Sequence, residues 1–363
     1  MQVIIGIIFH FIGGFASGSF YVPYKKVRGW AWENYWLIGG LFSWLIVPPI
    51  AAWLTVPNFT HIIAQTGAST FWWTYFWGLL WGIGGLMYGL GMRYLGMSLG
   101  NSVLLGFTSA FGALVPSIYY NFHPAAGKTT FNDLLQTSWG RIVLTGIILC
   151  LIGIVICGRA GVLKERELPE EKKKESIKEF SLVKGLIVCI ISGILSACFN
   201  YGIEAGSSMA ETANNLWKAA HPLATTNFLY RNNVTYVVLL WGGLTTNFVW
   251  CIFLNARNKT FGDYTKKQSP LLKNYLLCAL AGTVWFLQFF FYGMGESRLG
   301  NGASSWILHM AFIILVANMW GFILKEWKDV SAKTKATIII GVIVIIASVA
   351  LVGYGNGLKT TAP

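Results

Sequence analysis

The chain has 363 residues, of which 55% are hydrophobic and only 11% are charged. A soluble globular protein of this composition would expose too much apolar surface to water, so the composition indicates a membrane protein. The formal net charge of +13 would suggest a nucleic-acid partner in a soluble protein. In a membrane protein an excess of Lys and Arg instead reflects the orientation of the chain in the membrane, because cytoplasmic connections are rich in these residues. We therefore expect no nucleic acid as a partner.

Ten apolar runs of about 20 residues, the length that crosses about 30 Å of hydrocarbon as a helix, follow one another along the chain. They lie near residues 3–22, 35–55, 71–92, 97–119, 141–158, 185–205, 234–254, 274–295, 303–324 and 336–354. The first run lacks a basic leader and a cleavage site, so it predicts a retained span rather than a signal peptide. We predict an all-α polytopic membrane protein with ten transmembrane helices.

The connections between these runs differ in basic charge. Those after runs 1, 3, 5, 7 and 9 hold 21 of the 27 Lys and Arg residues, and the others with the C-terminal tail hold 6. This asymmetry places the odd connections in the cytoplasm and both termini outside, which in a bacterium is the periplasm. Residues 159–184 interleave basic residues with Glu and predict a solvated cytoplasmic linker.

One motif occurs twice, 204 residues apart, with the pattern W-x6-Y-G-x-G-x3-L-G. The first copy starts at Trp81 and the second at Trp285, and a second match at an offset of 179 relates residues 6–20 to residues 185–199. These matches predict a first half, residues 1–158, and a second half, residues 185–363. Five spans in each half would insert the two halves in opposite directions, which is the inverted repeat of many secondary transporters.

Polar residues within the spans repeat at helical spacing, which indicates faces turned away from lipid. The sixth apolar run carries Asn200 and Glu204 on one face, and the eighth carries Gln288 and Glu296. We expect the first and ninth runs to lie beside them around a cavity. Amides and aromatic rings suit a neutral hydroxylated molecule, whereas an anion would call for a central Arg or Lys that no span has. The predicted substrate contacts are Gln288, Trp285, Tyr292, Asn200, Trp81, Tyr88, Tyr21 and Trp306.

Ionisable residues are costly within a membrane, so each is a functional candidate by default. Histidine is the residue type that can titrate in the physiological range, so His10 and His309 are candidates for proton coupling. A neutral imidazole bonded between helices is the structural alternative for each. Glu33 is a third candidate, or a favourable charge at a helix N-terminus. Gating or rim positions are predicted for Arg93, Glu204, Glu296 and Arg298. The two rim carboxylates are expected to be hydrated or paired with Arg298.

All six Cys residues fall inside apolar segments, without a CxxC pair or a Cys/His spacing typical of metal sites. We expect no disulfide, metal or cofactor.

Six strings resemble the L-rhamnose/proton symporter family of the drug/metabolite transporter superfamily. They are FYVPYKKVRGWAWE at 20–33, YGLGMRYLGMSLG at 88–100, RAGVLKE at 159–165, LQFFFYG at 287–293, SWILHM at 305–310 and LKEW at 324–327. The resemblance implies ten spans in two inverted five-helix repeats, and proton-driven uptake of L-rhamnose through a bacterial inner membrane. Lipid is then the surrounding solvent, and the oligomeric state stays open.

Four further interpretations stand beside this symporter. A relative with changed specificity would carry another deoxy sugar or a different neutral metabolite with protons. A membrane-bound enzyme is disfavoured because no GxSxG, HExxH, paired-carboxylate or nucleotide-binding string is present. Catalysis would also leave the duplication and the alternating loop charge unexplained. A sugar sensor or a channel stays open: transport against a gradient would exclude a channel, and loss of uptake on removing the chain would argue against a sensor.

Overall fold

A computed structural model describes residues 1–125, 127–167, 182–323, 327–328 and 330–361 of the chain. Within these ranges, nine helices are long and apolar enough to cross a membrane. They are Gln2–Tyr24, Trp32–Thr55, Val103–Phe122, Ser138–Lys164, Val183–Ala205, Asn233–Asn258, Leu271–Leu299, Gly302–Trp320 and Ala332–Lys359. The prediction of a helical polytopic membrane protein is confirmed, and nine of the ten predicted runs overlap these candidates.

The helices follow one another with short connections. The first part comprises α1 (Gln2–Ser19), α2 (Tyr21–Tyr24), α3 (Trp32–Gly40), a π-helical turn (Leu41–Ile46), α4 (Val47–Thr55), α5 (Phe59–Gln65) and α6 (Ala68–Phe122). Next come α7 (Phe131–Gln136), α8 (Ser138–Glu167), α9 (Leu182–Ala205), α10 (Ser207–Ala220) and α11 (Asn233–Asn258). The last part comprises a 3-10 helix (Phe261–Thr265), α12 (Leu271–Leu299), α13 (Gly302–Ile323) and α14 (Ala332–Thr361).

The remaining predicted run, 71–92, lies in the first part of α6, which has 55 residues. Two residues of this helix, Trp77 and Phe111, both contact Tyr201 of α9. The rings of Trp77 and Tyr201 have centroids 5.4 Å apart, and the Tyr201 hydroxyl donates to the Phe111 carbonyl at 3.2 Å. A straight helix would separate residues 77 and 111 by about 51 Å. The helix α6 therefore doubles back, and its two arms lie along the same neighbour.

The helix α8 continues at least to Glu167, which lies within the predicted linker 159–184. Good helix formers such as Leu163 and Lys164 favour helix over these residues. Residues 168–181 of that linker lie outside the described residues.

Close helix contacts run through glycine and small residues, as is usual where apolar solvent does not drive association. A Cβ on Gly14 of α1 would lie 2.5 Å from Cβ of Phe312 on α13. In the same way, a Cβ on Gly193 of α9 would lie 2.7 Å from the Leu104 carbonyl oxygen in the second arm of α6. Each of these helices packs so closely because no side chain separates the backbones.

At one end of the bundle, which we call the closed end, residues 28–34 of the first half are bonded to residues 258–274 of the second. The side chain of Asp263 accepts from the Ala31 amide at 2.9 Å and from Asn34 Nδ2 at 3.0 Å. Asn274 exchanges two hydrogen bonds with the Arg28 backbone, at 3.2 and 2.8 Å. These bonds join the two halves at this end.

Candidate functional site

A cavity of about 400 Å³ lies at the opposite end of the bundle, which we call the cavity end. Its walls come from the second arm of α6, the segment after it, α9, α10, residues 227–232, α12 and the start of α13. Both halves therefore contribute to it, and its volume falls within the range typical of small-molecule sites. The lining used below comprises Tyr120 and Lys128 of the first half, and Asn200, Glu204, Arg231, Tyr292 and Glu296 of the second.

Glu204 is the penultimate residue of α9 and contacts the first half. Its Oε2 atom accepts from the Tyr120 hydroxyl at 2.7 Å and from Lys128 Nζ at 2.6 Å. The ion pair is partly open, since the Glu204 side chain is 19% exposed and the Lys128 side chain 28%. This carboxylate is a polar connection between the two halves across the cavity.

Glu296 of α12 is held within the second half. Arg231 Nη2 lies 2.8 Å from each of its carboxylate oxygens, and Asn232 Nδ2 donates to Oε2 at 2.9 Å. The carboxylate raises the pKa of the Arg231 guanidinium above its ordinary value. The expected pairing with Arg298 is wrong, because Arg298 Nη1 donates instead to the Asn227 carbonyl at 2.8 Å. Arg298 thereby fixes the segment that carries Arg231 rather than the carboxylate itself.

Asn200 and Tyr292 meet deeper in the cavity, where the Tyr292 hydroxyl lies 3.3 Å from Asn200 Oδ1. Asn200 Nδ2 donates to the Gly112 carbonyl at 2.7 Å, which ties α9 to the second arm of α6. Asn200 and Glu204 share one face of α9, as their spacing of four residues predicts. The site thus combines an amide, a phenol and a carboxylate on one wall.

His10 and His309 lie together behind Tyr292, with ring centroids 6.3 Å apart. Each ring is 5.3 Å from the ring of Tyr292, and both histidines are fully buried. Their four ring nitrogens have no hydrogen-bond partner among the described residues. The expected proton-coupling histidines are therefore adjacent to each other, and Tyr292 separates them from the cavity. The first helix, α1, was expected to line the cavity, but none of its residues belongs to the described lining.

Other predicted substrate residues lie below or beside the cavity. Trp306 is 2% exposed, packs on Tyr292 with ring centroids 6.0 Å apart, and donates from Nε1 to the Thr108 carbonyl at 2.9 Å. Gln288 is 5% exposed, and its backbone carbonyl oxygen lies against Gly13 of α1. Trp81 and Trp285 contact each other, with centroids 5.5 Å apart. None of these four side chains belongs to the described lining of the cavity.

Three more predicted positions, Glu33, Tyr21 and Tyr88, do not belong to the described lining of the cavity. Glu33 belongs to the closed end, where its Oε1 accepts from Asn258 Nδ2 at 3.0 Å and from Thr260 Oγ1 at 2.8 Å. The Tyr21 hydroxyl lies 3.3 Å from that of Tyr35. Tyr88 of α6 is 37% exposed. The side chain of Arg93 lies outside what the structure describes.

The sequence analysis did not identify Lys128, Arg231, Asn232 or Tyr120 as site residues. Lys128 and Arg231 belong to connections, and the basic residues of such connections were considered only as markers of orientation. The charges offered a usable signal. Glu204 and Glu296 lie at the ends of predicted spans, where a carboxylate is stabilised by a nearby cation. Lys128 and Arg231 lie in connections on the same predicted side of the membrane.

The family comparisons agree with this architecture. The family model described as L-rhamnose-proton symport protein matches residues 1–358. An L-rhamnose-proton symporter of Yersinia pestis (strain Pestoides F) is 37% identical over 358 residues, covering 97% of this chain and 98% of that protein. A protein of the same description from Yersinia pseudotuberculosis serotype O:1b (strain IP 31758) has the same identity and coverage. The multi-pass membrane chain described above belongs to the family of L-rhamnose-proton symport proteins.

Proposed function

We propose that this protein carries L-rhamnose together with protons into a bacterial cell by alternating access. The observation that supports this most directly is the cavity between the two halves, which is open at one end of the bundle while the other end is joined by hydrogen bonds. Two of its carboxylates, Glu204 and Glu296, are each paired with a cation. The lining also contains one further carboxylate, Glu211, and one further cation, Lys218, so the wall offers donors and acceptors without a large net charge. Such a lining suits a neutral hydroxylated substrate.

The chain crosses the membrane ten times in this proposal, as two inverted five-helix repeats. The tenth crossing is the first arm of α6, which doubles back along α9. Corresponding contacts in the two halves support the repeat. His10 packs on Gly295, and Cys189, which is 179 residues after His10, packs on Gly91, which is 204 residues before Gly295. These are the same two offsets that relate the sequence matches.

The cavity end faces the periplasm in this proposal, and both termini lie there, in the bacterial inner membrane. The excess of Lys and Arg in the odd connections supports this orientation. The described structure then corresponds to an outward-facing form. Rocking of one half against the other would break the bonds of the closed end and close the cavity end.

The sugar binds, we propose, against Asn200 and Tyr292, whose polar groups meet at the bottom of the cavity. The other predicted contact residues, Gln288, Trp285, Trp81, Tyr88, Tyr21 and Trp306, would support this site or line the path on the inner side. Trp306 has the clearest supporting role, because it packs directly on Tyr292.

The proton binds at the pair formed by His10 and His309. Their rings have unpartnered nitrogens, and both contact the ring of Tyr292, which belongs to the cavity lining. A substrate at Tyr292 would therefore contact the residue that covers the histidines. Glu33, the third predicted coupling residue, is bonded at the closed end, and we assign it to the bonds that hold this end together.

A carrier for another deoxy sugar or a neutral metabolite would use the same cavity. Counterflow distinguishes these substrates without a proton gradient. Proteoliposomes preloaded with unlabelled L-rhamnose should take up labelled L-rhamnose transiently, whereas preloading with the alternative sugars should give less uptake. If another deoxy sugar supports faster counterflow than L-rhamnose, the substrate assignment is wrong and the alternative replaces it.

A further inference from the structure

Glu204 and Glu296 are two of the three carboxylates that line the cavity, and they differ in how their oxygens are bonded. The third, Glu211, is an exposed side chain of α10. Both oxygens of Glu296 are bonded to Arg231, and Oε2 also accepts from Asn232. In contrast, Oε2 of Glu204 accepts both of its hydrogen bonds, from Tyr120 and from Lys128. Oε1 of Glu204 makes no hydrogen bond to any described residue. Of these two groups, only Glu204 has an oxygen that is not already bonded.

This oxygen has the chemistry of a receptor for a hydroxyl group. An ionised carboxylate is purely an acceptor, and a hydrogen bond to it is about twice as strong as one between neutral groups. Glu204 lines the cavity and is not sealed by protein, since its side chain is 19% exposed. A sugar carries several O–H groups, each of which can donate a hydrogen bond to such an oxygen. The free oxygen is therefore matched to a hydroxylated substrate.

The position of Glu204 relative to Asn200 supports the same interpretation. The two residues lie one helical turn apart on one face of α9, and both belong to the lining. Asn200 Oδ1 already accepts from Tyr292, and Nδ2 donates to the Gly112 carbonyl. Asn200 therefore retains one neutral acceptor site on Oδ1 and one N–H donor, whereas Glu204 supplies the charged and stronger acceptor on this face.

Tyr120 and Lys128 orient the carboxylate. Because both donate to Oε2, they fix which oxygen remains available, and the Lys128 ammonium offsets the negative charge beside a neutral ligand. Both come from the first half, whereas Glu204 comes from the second. Tyr120 and Lys128 are positioning residues. A sugar bound to Glu204 would therefore contact a carboxylate that already connects the two halves.

We propose that Oε1 of Glu204 accepts a hydrogen bond from one hydroxyl group of the transported sugar, and that Glu204 thereby contributes to selecting the sugar. This inference rests on the proposed function, since it requires a hydroxylated substrate in this cavity. It assigns Glu204 a substrate contact in addition to its predicted position at the rim.

The test is equilibrium binding of L-rhamnose to the purified full chain at one fixed pH, with wild type, Glu204→Gln and Glu204→Asp. In Glu204→Gln, Tyr120 and Lys128 would retain the amide oxygen as their acceptor, so the NH₂ group would face the cavity and no acceptor would remain there. We expect affinity to fall by about ten- to a hundredfold. Glu204→Asp keeps the negative charge, but its side chain is shorter by one methylene group. The carboxylate would then lie farther from the sugar, so this variant should also weaken binding. Glu167→Gln serves as the matched control, because Glu167 also accepts several hydrogen bonds but does not line the cavity.

Sugar analogues identify the bond itself. Each monodeoxy analogue of L-rhamnose is titrated against wild type and Glu204→Gln, after size-exclusion chromatography has shown that both are folded. The analogue that lacks the hydroxyl bound by Glu204 should bind wild type and Glu204→Gln with the same affinity, while the others still discriminate between them. If wild type binds L-rhamnose and both Glu204 variants bind it within about twofold, this inference is overturned and the proposed function stands. Absence of L-rhamnose binding to wild type would overturn both.

Discussion

Trp81 and Trp285 begin the two copies of the repeated motif, and their rings contact each other with centroids 5.5 Å apart. Trp44 packs edge-on against both, at 6.3 Å from Trp81 and 5.7 Å from Trp285. A residue can touch its own counterpart only near the axis that relates two repeats. The contact therefore supports the proposed inverted arrangement, and it places both tryptophans in the interior rather than at a lipid interface.

The contact between Gly295 and His10 gives a prediction on stability. A Cβ on Gly295 would lie 2.7 Å from Nε2 of His10, so Gly295→Ala must push α1 away from α12. We expect a loss of about 1–3 kcal/mol, measured by thermal unfolding in detergent. Gly85→Ala is the control, because a Cβ there meets nothing within 4 Å and alanine favours the helix.

A second variant separates this clash from a general effect on α12. Removing the ring in the double variant His10→Ala/Gly295→Ala should recover most of the lost stability. If Gly295→Ala unfolds at the wild-type temperature, or if the double variant recovers nothing, the described packing of His10 is incorrect.

The ion pair of Arg231 and Glu296 gives a second prediction. Arg231→Ala would leave the Glu296 carboxylate with Asn232 as its remaining hydrogen-bond donor among the described residues. A fully buried pair broken on one side loses about 3–5 kcal/mol, and this pair, which is 20% and 16% exposed, should lose less. Thermal unfolding measures the loss.

Arg298→Ala provides the comparison. Among the described residues Arg298 donates only to a backbone carbonyl, so this variant should lose about 1 kcal/mol of stability. Combining Arg231→Ala with Glu296→Gln should restore stability, because the uncompensated charge is gone. Equal losses for Arg231→Ala and Arg298→Ala would contradict the assignment of Arg231 as the partner of Glu296.

The bonds of Glu33 lead to a prediction on conformation. Glu33→Ala removes two hydrogen bonds between the halves at the closed end, so it should shift the population towards the form whose cavity end is closed. Two bonds to a charged group correspond to a population ratio changed by about tenfold or more. The readout is maleimide labelling of Asn215→Cys at the cavity, which should slow.

Lys267→Gln is the matched control for this experiment, because Lys267 is exposed in the same connection and should leave labelling unchanged. Faster or unchanged labelling in Glu33→Ala would remove Glu33 from the bonds that stabilise the outward-facing form.

His309 gives the prediction on coupling. If the buried pair with His10 binds the proton, His309→Ala should abolish accumulation of L-rhamnose or uncouple it from the proton, while sugar exchange without a gradient persists. Uptake and counterflow in the same vesicles measure both. Accumulation at the wild-type level in His309→Ala would remove this residue from the mechanism.

Much of the fold followed from local patterns in the sequence. Apolar runs marked the spans, and the spacing of Asn200 and Glu204 correctly placed both on one face of α9, because helical periodicity is a local property. The position of Tyr292 beside the two histidines was not predictable in this way. That arrangement depends on the packing of α1 against α12 and α13, which lie near the other end of the chain.

The partners of the cavity carboxylates show where sequence reasoning stopped. Arg298, two residues from Glu296, was the expected cation, yet a helical spacing of two turns side chains away from each other. Arg231 is 65 residues away and reaches both oxygens because its connection folds over the cavity. Positions in connections carry no periodic signal, so charge could indicate that Lys128 and Arg231 lie on the same side as the carboxylates, but helical spacing could not indicate which cation pairs with which carboxylate.

The most direct test of the central proposal is uptake of labelled L-rhamnose by proteoliposomes under an imposed pH gradient, acidic outside. The account predicts accumulation above the external concentration, which collapses when a protonophore dissipates the gradient. Equilibration without accumulation, with or without the protonophore, would contradict proton-coupled symport by this protein.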